Sequence, residues 1–223
     1  MNFIEYADQE MLAIDLANII AGELTATLEH EDRALLVVPG GTTPAPVFDD
    51  LCDADLDWSR VDVMLSDERW VPEVHVRSNT RMIRERLLTG RAAKARYLPL
   101  FAKAESPEAV LPELESNITP NLPISVLLLG MGDDMHTASL FPGADALGDA
   151  LKHDAPVLVP MRGGGAPEPR VTLSARVLNG ALAKHLVITG QKKRAALERA
   201  RGLPVTEAPV AAVLADMSVH WAE

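Results

Sequence analysis

Four short apolar runs set the frame of this 223-residue chain, and each stops at glycine, proline or charge. Ala34-Leu-Leu-Val-Val38 runs into Pro39-Gly40-Gly41-Thr42-Thr43-Pro44, and Val61-Asp-Val-Met-Leu65 into Ser66-Asp67-Glu68-Arg69-Trp70. Ile124-Ser-Val-Leu-Leu-Leu129 runs into Gly130-Met131-Gly132, and His185-Leu-Val-Ile-Thr189 into Gly190-Gln191-Lys192-Lys193-Arg194. Runs this short and this apolar read as strands covered on both faces. Between them the spacing turns helical. Leu12, Leu16, Ile20, Leu24 and Leu28 recur four apart in a stretch from about Ala7 to Glu29, the pattern of an amphipathic helix. Strands that alternate with helices imply a parallel sheet. The expected fold class is therefore α/β, a single domain over residues 1–223 with a mostly parallel central sheet flanked by helices on both faces.

The remaining elements follow from capping and composition. Thr43 is the expected N-cap of a second helix with Pro44 at its first position. Further helices are expected from Asn79 to Leu88, from Ser106-Pro107-Glu108 onward, and from Gln191 to Ala200, with a last strand at Val219–Trp221. Residues 143–170, with Gly163-Gly164-Gly165-Ala166-Pro167 among them, have the least regular pattern. They suggest a functional or lid segment that holds one short strand at Val157–Val159.

Charge and cysteine content narrow the function classes. Lys and Arg number 21 against 32 Asp and Glu, a formal net charge of −11, and such a field repels nucleic acid and anionic membranes. Aromatic residues make up 4% of the chain, too few for a base-stacking platform. An anionic ligand would need a local basic patch set against the global charge. The one cysteine, Cys52, sits among acidic and apolar neighbours, so a buried structural thiol is expected rather than a nucleophile. The first residues carry neither a basic nor a long apolar region, and no apolar run approaches a membrane span. A cytoplasmic location is the expectation.

The strand ends carry the chemistry, because ligands of open α/β sheets bind beyond the carboxyl ends of the strands. Gly40-Gly41-Thr42-Thr43 can cradle an anion or simply turn the chain. Asp67-Glu68-Arg69 reads as a solvated charged turn, or as a guanidinium that pairs with phosphate or with the two acids. The turn Gly130-Met131-Gly132-Asp133-Asp134-Met135-His136 delivers one histidine flanked by acids. An imidazole with an unperturbed pKa of ~6.5 can accept a proton at neutral pH. The six histidines show no helical zinc spacing. There is no G-x-S-x-G elbow, no G-x-x-x-x-G-K-[ST] loop and no G-x-G-x-x-G fingerprint.

Together and in order, these blocks resemble the 6-phosphogluconolactonase family. Gly40-Gly41-Thr42-Thr43-Pro44 is similar to its early turn, and Ser66-Asp67-Glu68-Arg69 with Val71-Pro72 and Ser78-Asn79 to its second block. Gly130 to Pro142 resembles its G-x-G-x-D-G-H-T-A-S-L-F-P signature, while Pro169-Arg170-Val171-Thr172-Leu173 and Thr189-Gly190 with Lys193 resemble its late blocks. Two positions depart from the pattern: Met135 replaces the usual glycine, and Arg77 stands where an acid is common. The resemblance implies the fold of glucosamine-6-phosphate deaminase and ribose-5-phosphate isomerase. It implies hydrolysis of a small-molecule sugar-phosphate lactone with no metal or organic cofactor. His136 would then be the base, oriented by Asp134 or Asp67, and the phosphate would sit among Gly41, Thr42, Arg69, Arg170 and Lys193. The deaminase sibling is disfavoured, since Arg69 replaces its tyrosine and Ser139-Leu140-Phe141 its Phe-Asn-Glu run. Neither nucleic acid nor membrane is an expected partner, and the oligomeric state stays open, a monomer included.

Overall fold

The computed structural model describes residues 1–223. Its elements in chain order are β1 (Asn2–Glu5), α1 (Gln9–Leu28), β2 (Ala34–Val38), α2 (Ala45–Leu51), β3 (Val61–Leu65), β4 (Asp67–Arg69), α3 (Asn79–Arg86), β5 (Arg96–Leu98), α4 (Leu111–Ile118), β6 (Val126–Gly130), α5 (Leu147–Ala150), β7 (Leu158–Gly163), β8 (Ala166–Leu173), α6 (Ala175–Asn179), β9 (Ala183–Thr189), α7 (Gly190–Ala200) and β10 (Ser218–Ala222). Seven strands form one sheet in the order β1-β10-β9-β6-β2-β3-β5, and every pairing in it is parallel. Each residue of β2 and β3 is buried. Because neighbouring side chains on a strand face opposite ways, both faces of the sheet are covered. All the buried apolar residues but Ala155 form one contiguous cluster from Leu12 to Ala222, and each fully buried Leu or Val in it contributes roughly 1.5–3 kcal/mol.

From β2 the chain builds outward through β3 and β5, then returns to lay β6 on the other side of β2. This reversal opens a crevice between the carboxyl ends of β2 and β6, the usual ligand position in such sheets. The Gly40-Gly41 turn leaves one of these strands and the Gly130–His136 turn leaves the other.

Several expectations need correction. Asp67–Arg69 is a strand rather than a charged turn. It pairs antiparallel with β8, which pairs with β7 to complete a second, three-stranded sheet. Residues 143–170 are more regular than expected: in place of one short strand, α5 is followed by β7 and β8, a hairpin that turns at Gly163-Gly164-Gly165, all at positive φ. Pro44, not Thr43, occupies the N-cap of α2, and no side chain caps that end. Ser106-Pro107 opens only a 3-10 turn before α4. By length and composition α1 would suffice to cross a membrane, against the reading that no segment does. In the fold it is a core helix, capped by Asp8 and packed through Leu12, Leu16, Ile20 and Leu24. Cys52 is buried as expected, its thiol donating to the Asp49 carbonyl at 3.2 Å. Burial and neighbouring carboxylates push that thiol above its ordinary pKa.

Candidate active site

A cavity of about 330 Å³ opens at the crevice between β2 and β6. Gly41, Thr42, Asp67, Arg69, His136, Arg170 and Lys193 all line it, as do Asn79 and Phe141. Asp134 is absent from the lining and reaches the cavity through His136. The pieces arrive from β2, β4, α3, β6, β8 and α7. Residues more than 150 positions apart in sequence are thus brought to one wall by the parallel sheet and the small antiparallel one beside it.

His136 stands on a tightly fixed turn. The Gly132 amide donates to the His136 carbonyl at 2.9 Å, and the Met135 amide to the Gly132 carbonyl at 3.0 Å. The Thr137 hydroxyl donates to the Gly130 carbonyl at 2.8 Å. A Cβ at Gly132 would overlap the His136 ring and the Asp134 carboxylate, so only glycine admits this approach. Met135 and Ala138 take φ of 65° and 49°. The methionine that replaces the usual glycine thus sits in the left-handed region, at a strain of about 1–2 kcal/mol. Its carbonyl accepts from the Val210 amide at 3.0 Å, a tertiary contact that holds the conformation.

The imidazole Nδ1 lies 2.5 Å from Asp134 Oδ1. Burial raises the Asp134 pKa, but hydrogen bonding and charge from His136 outweigh it and hold it below the usual carboxylate range. Asp134 is therefore ionised at neutral pH and can only accept, which places the proton on Nδ1 and the lone pair on Nε2. Phe141 packs against the ring, centroid to centroid 4.5 Å.

Asp67 turns elsewhere. It accepts from Ser139 Oγ at 2.6 Å and from Ser66 Oγ at 3.1 Å, with a long 3.5 Å contact to Arg170 Nη1. Of the two carboxylates that the sequence offered to orient the imidazole, only Asp134 is bonded to it. Arg170 is 93% buried with Asp67 beside it and Phe141 under its guanidinium. Burial lowers its pKa and Asp67 opposes that, but a guanidinium stays charged. The Nε atoms of Arg69 and Arg170 are both buried without a hydrogen-bond partner. Both arginines line the cavity, and two guanidinium groups on one wall suit an anion. Of the three cations at the start of α7, only Lys193 joins the lining; it donates to the Met131 carbonyl. Lys192 pairs with Asp133, while Arg194 pairs with Glu5 at 3.2 Å and covers the Trp221 ring. Arg77, the other departure from the family pattern, pairs with Glu168 at 2.6 Å.

Sequence reasoning assigned no role to Glu68, Asn79, Ser139 or Phe141. All four lie inside the blocks that carry the family resemblance, yet nothing local signals that a Ser139 hydroxyl meets a carboxylate 72 residues away.

The α/β sheet with its cation-lined crevice and histidine-bearing turn is the architecture of the sugar-phosphate isomerase and lactonase class. The chain belongs to the family described as glucosamine-6-phosphate isomerases/6-phosphogluconolactonase, whose model matches residues 7–221. It is 44% identical over 211 residues to a 6-phosphogluconolactonase of Pseudomonas aeruginosa, covering 92% of this chain and 88% of that one. A solved 6-phosphogluconolactonase from Shewanella baltica OS155 superposes with a TM-score of 0.96 at 33% identity, covering 100% of this chain and 98% of the other. A monomeric glucosamine-6-phosphate deaminase shares the fold, with a TM-score of 0.83 at 17% identity and coverage of 100% and 98%.

Proposed function

We propose that this chain hydrolyses 6-phospho-D-glucono-1,5-lactone to 6-phospho-D-gluconate, the lactone-opening step of the oxidative pentose phosphate pathway. Family membership and the lactonase relatives support the activity. The observation that carries the mechanism is an imidazole whose Nδ1 is held by an ionised Asp134 and whose Nε2 is left free on a cavity lined by Arg69, Arg170 and Lys193.

Water attacks the lactone carbonyl carbon as His136 Nε2 removes its proton, forming a C–O bond and a tetrahedral oxyanion. Collapse of that oxyanion breaks the bond to the ring oxygen, which takes the proton back from the imidazolium. Asp134 stabilises the imidazolium meanwhile. Asp67 acts at one remove, by keeping Arg170 in place. The Gly41 and Thr42 turn, Arg69, Arg170 and Lys193 hold the phosphate, and that remote anchor orients the reacting carbon. The reaction so written calls on no metal or organic cofactor. The reduced, buried Cys52 fits a cytoplasmic enzyme.

The test is the hydrolysis rate of freshly made lactone above its spontaneous background, for wild type and His136→Ala. A general base of this kind is worth ~10²–10⁴-fold, so the variant should lose that much while it still binds phosphate esters. A wild type that gives no acceleration sinks the activity. Acceleration that survives the substitution keeps the activity and removes His136 as the base.

A further inference from the structure

Glu68 is fully buried, next to the cavity but outside its lining. A buried carboxylate is costly unless its oxygens are satisfied, and here no cationic side chain pairs with it. Backbone and hydroxyl donors do so instead. Oε1 accepts from the amides of Arg69 at 2.7 Å and Asn79 at 2.8 Å. Oε2 accepts from the Thr80 amide at 2.7 Å, the Thr80 hydroxyl at 2.6 Å and the Ser78 hydroxyl at 3.2 Å. The carboxylate sits at the N-terminus of α3, where the exposed amides favour negative charge. It therefore welds the end of β4 to the start of α3 and closes off the excursion between them.

The weld fixes the side chain of Asn79, which is 97% buried. Its Oδ1 accepts from Arg69 Nη1 at 2.9 Å and its Nδ2 donates to the Asp67 carbonyl at 3.1 Å. The amide also fills the space that a Cβ at Gly40 would take, so it buttresses the turn after β2. Arg69 Nη1 has a second acceptor in the Arg77 carbonyl at 2.5 Å. With Nη1 occupied by two acceptors, the guanidinium is fixed at the cavity wall.

We propose that Glu68 and Asn79 form a positioning pair for the anion side of the site, holding Arg69 and the Gly40-Gly41 turn in register before the substrate arrives. The role rests on the lactonase reading. A free arginine side chain carries ~2 kcal/mol of rotamer entropy, and a guanidinium already fixed need not lose it on binding. The pair acts on affinity for the phosphate and leaves proton transfer at His136 untouched.

The deciding variant is Asn79→Ala, which removes both amide hydrogen bonds and buries no new charge. Its KM for the phospholactone should rise roughly tenfold, the usual weight of a hydrogen bond to a charged group, with kcat preserved. Glu68→Gln should shift KM in the same direction. Thr80→Val removes hydroxyl contacts to Glu68 and Tyr97 but leaves the cavity lining intact. It loosens the same weld, so it should lower Tm and raise KM in the same direction by less. Inorganic phosphate supplies a readout without turnover: it should raise the Tm of wild type, and clearly less that of Asn79→Ala. A wild type without lactonase activity but with this phosphate contrast would overturn the lactonase reading and leave the pair standing. An Asn79→Ala enzyme with unaltered KM and an unaltered phosphate shift would overturn the pair. Should Glu68→Gln not fold, Asn79→Ala decides alone.

Discussion

His136 with Asp134 and His185 with Glu23 are both imidazole–carboxylate pairs, joined at 2.5 Å and 2.7 Å. Their surroundings differ. His185 is a residue of β9 and 96% buried. Its Nδ1 meets His220 Nε2 at 3.0 Å, and His220 Nδ1 meets the Tyr6 hydroxyl at 2.8 Å. With both rings neutral, one order of protons satisfies the whole chain: Tyr6 donates to His220, His220 to His185 and His185 to Glu23. No nitrogen is left over. His136 lies beyond a strand end, half-buried, with one nitrogen spent on Asp134 and the other facing a cavity. The comparison teaches that a carboxylate partner does not make a histidine reactive. A spare nitrogen and room for substrate beside it do.

The largest effect that could break this contrast is on turnover. His136→Ala should cost ~10²–10⁴-fold in kcat, while His185→Ala, if it folds, should keep the wild-type kcat. Equal losses in steady-state assays would erase the distinction. Next comes the carboxylate of each pair. Asp134→Asn gives up a charged hydrogen bond of about 1.5–3 kcal/mol, roughly 10–10²-fold in rate, and Glu23→Gln should leave the rate alone.

Stability should respond in the opposite pattern. Burial, and then His185, lower the His220 pKa to about 4 from the ordinary 6.5. A folded-state pKa below the unfolded one means that the unfolded chain binds more protons between those values. The stability from neutral His220 is thus complete above pH 6.5 and is lost as the pH falls toward 4. The loss is on the order of 3 kcal/mol at most. In melting curves over that range His220→Gln should flatten the slope. The smallest effect concerns the backbone. Met135 at φ 65° strains the His136 turn, and nothing comparable underlies His185. Met135→Ile should lower stability by about 1 kcal/mol or more, since a β-branched residue fits that region worse. An unchanged Tm would show that the turn relaxes.

The strands that frame the site were legible because each is a short apolar run stopped by turn residues. The histidine-bearing turn after β6 was legible because its residues are consecutive. β4 was not, since Asp67-Glu68-Arg69 has neither apolar alternation nor length. It is a strand only because β8, a century of residues later, supplies its ladder. The β7–β8 hairpin was hidden by Pro160, Pro167 and Pro169, which argue against strands from sequence alone. The partners of Asp67 were unreadable for the same reason: Ser139 and Arg170 reach it only through tertiary contact. Glu68 was passed over because a charged side chain reads as solvated until its burial is known.

Gly164, at the tip of that hairpin, lies where a Cβ would run into the Phe141 side chain, and Phe141 in turn backs the His136 ring. A protein engineer who replaces loop glycines with alanine to gain heat resistance, looking only at the sequence, would be drawn to this run of three, although its positive φ already disfavours alanine. Here the same recipe would push an aromatic wall toward the proton-transferring ring, so the hairpin tip should be exempted from any such library.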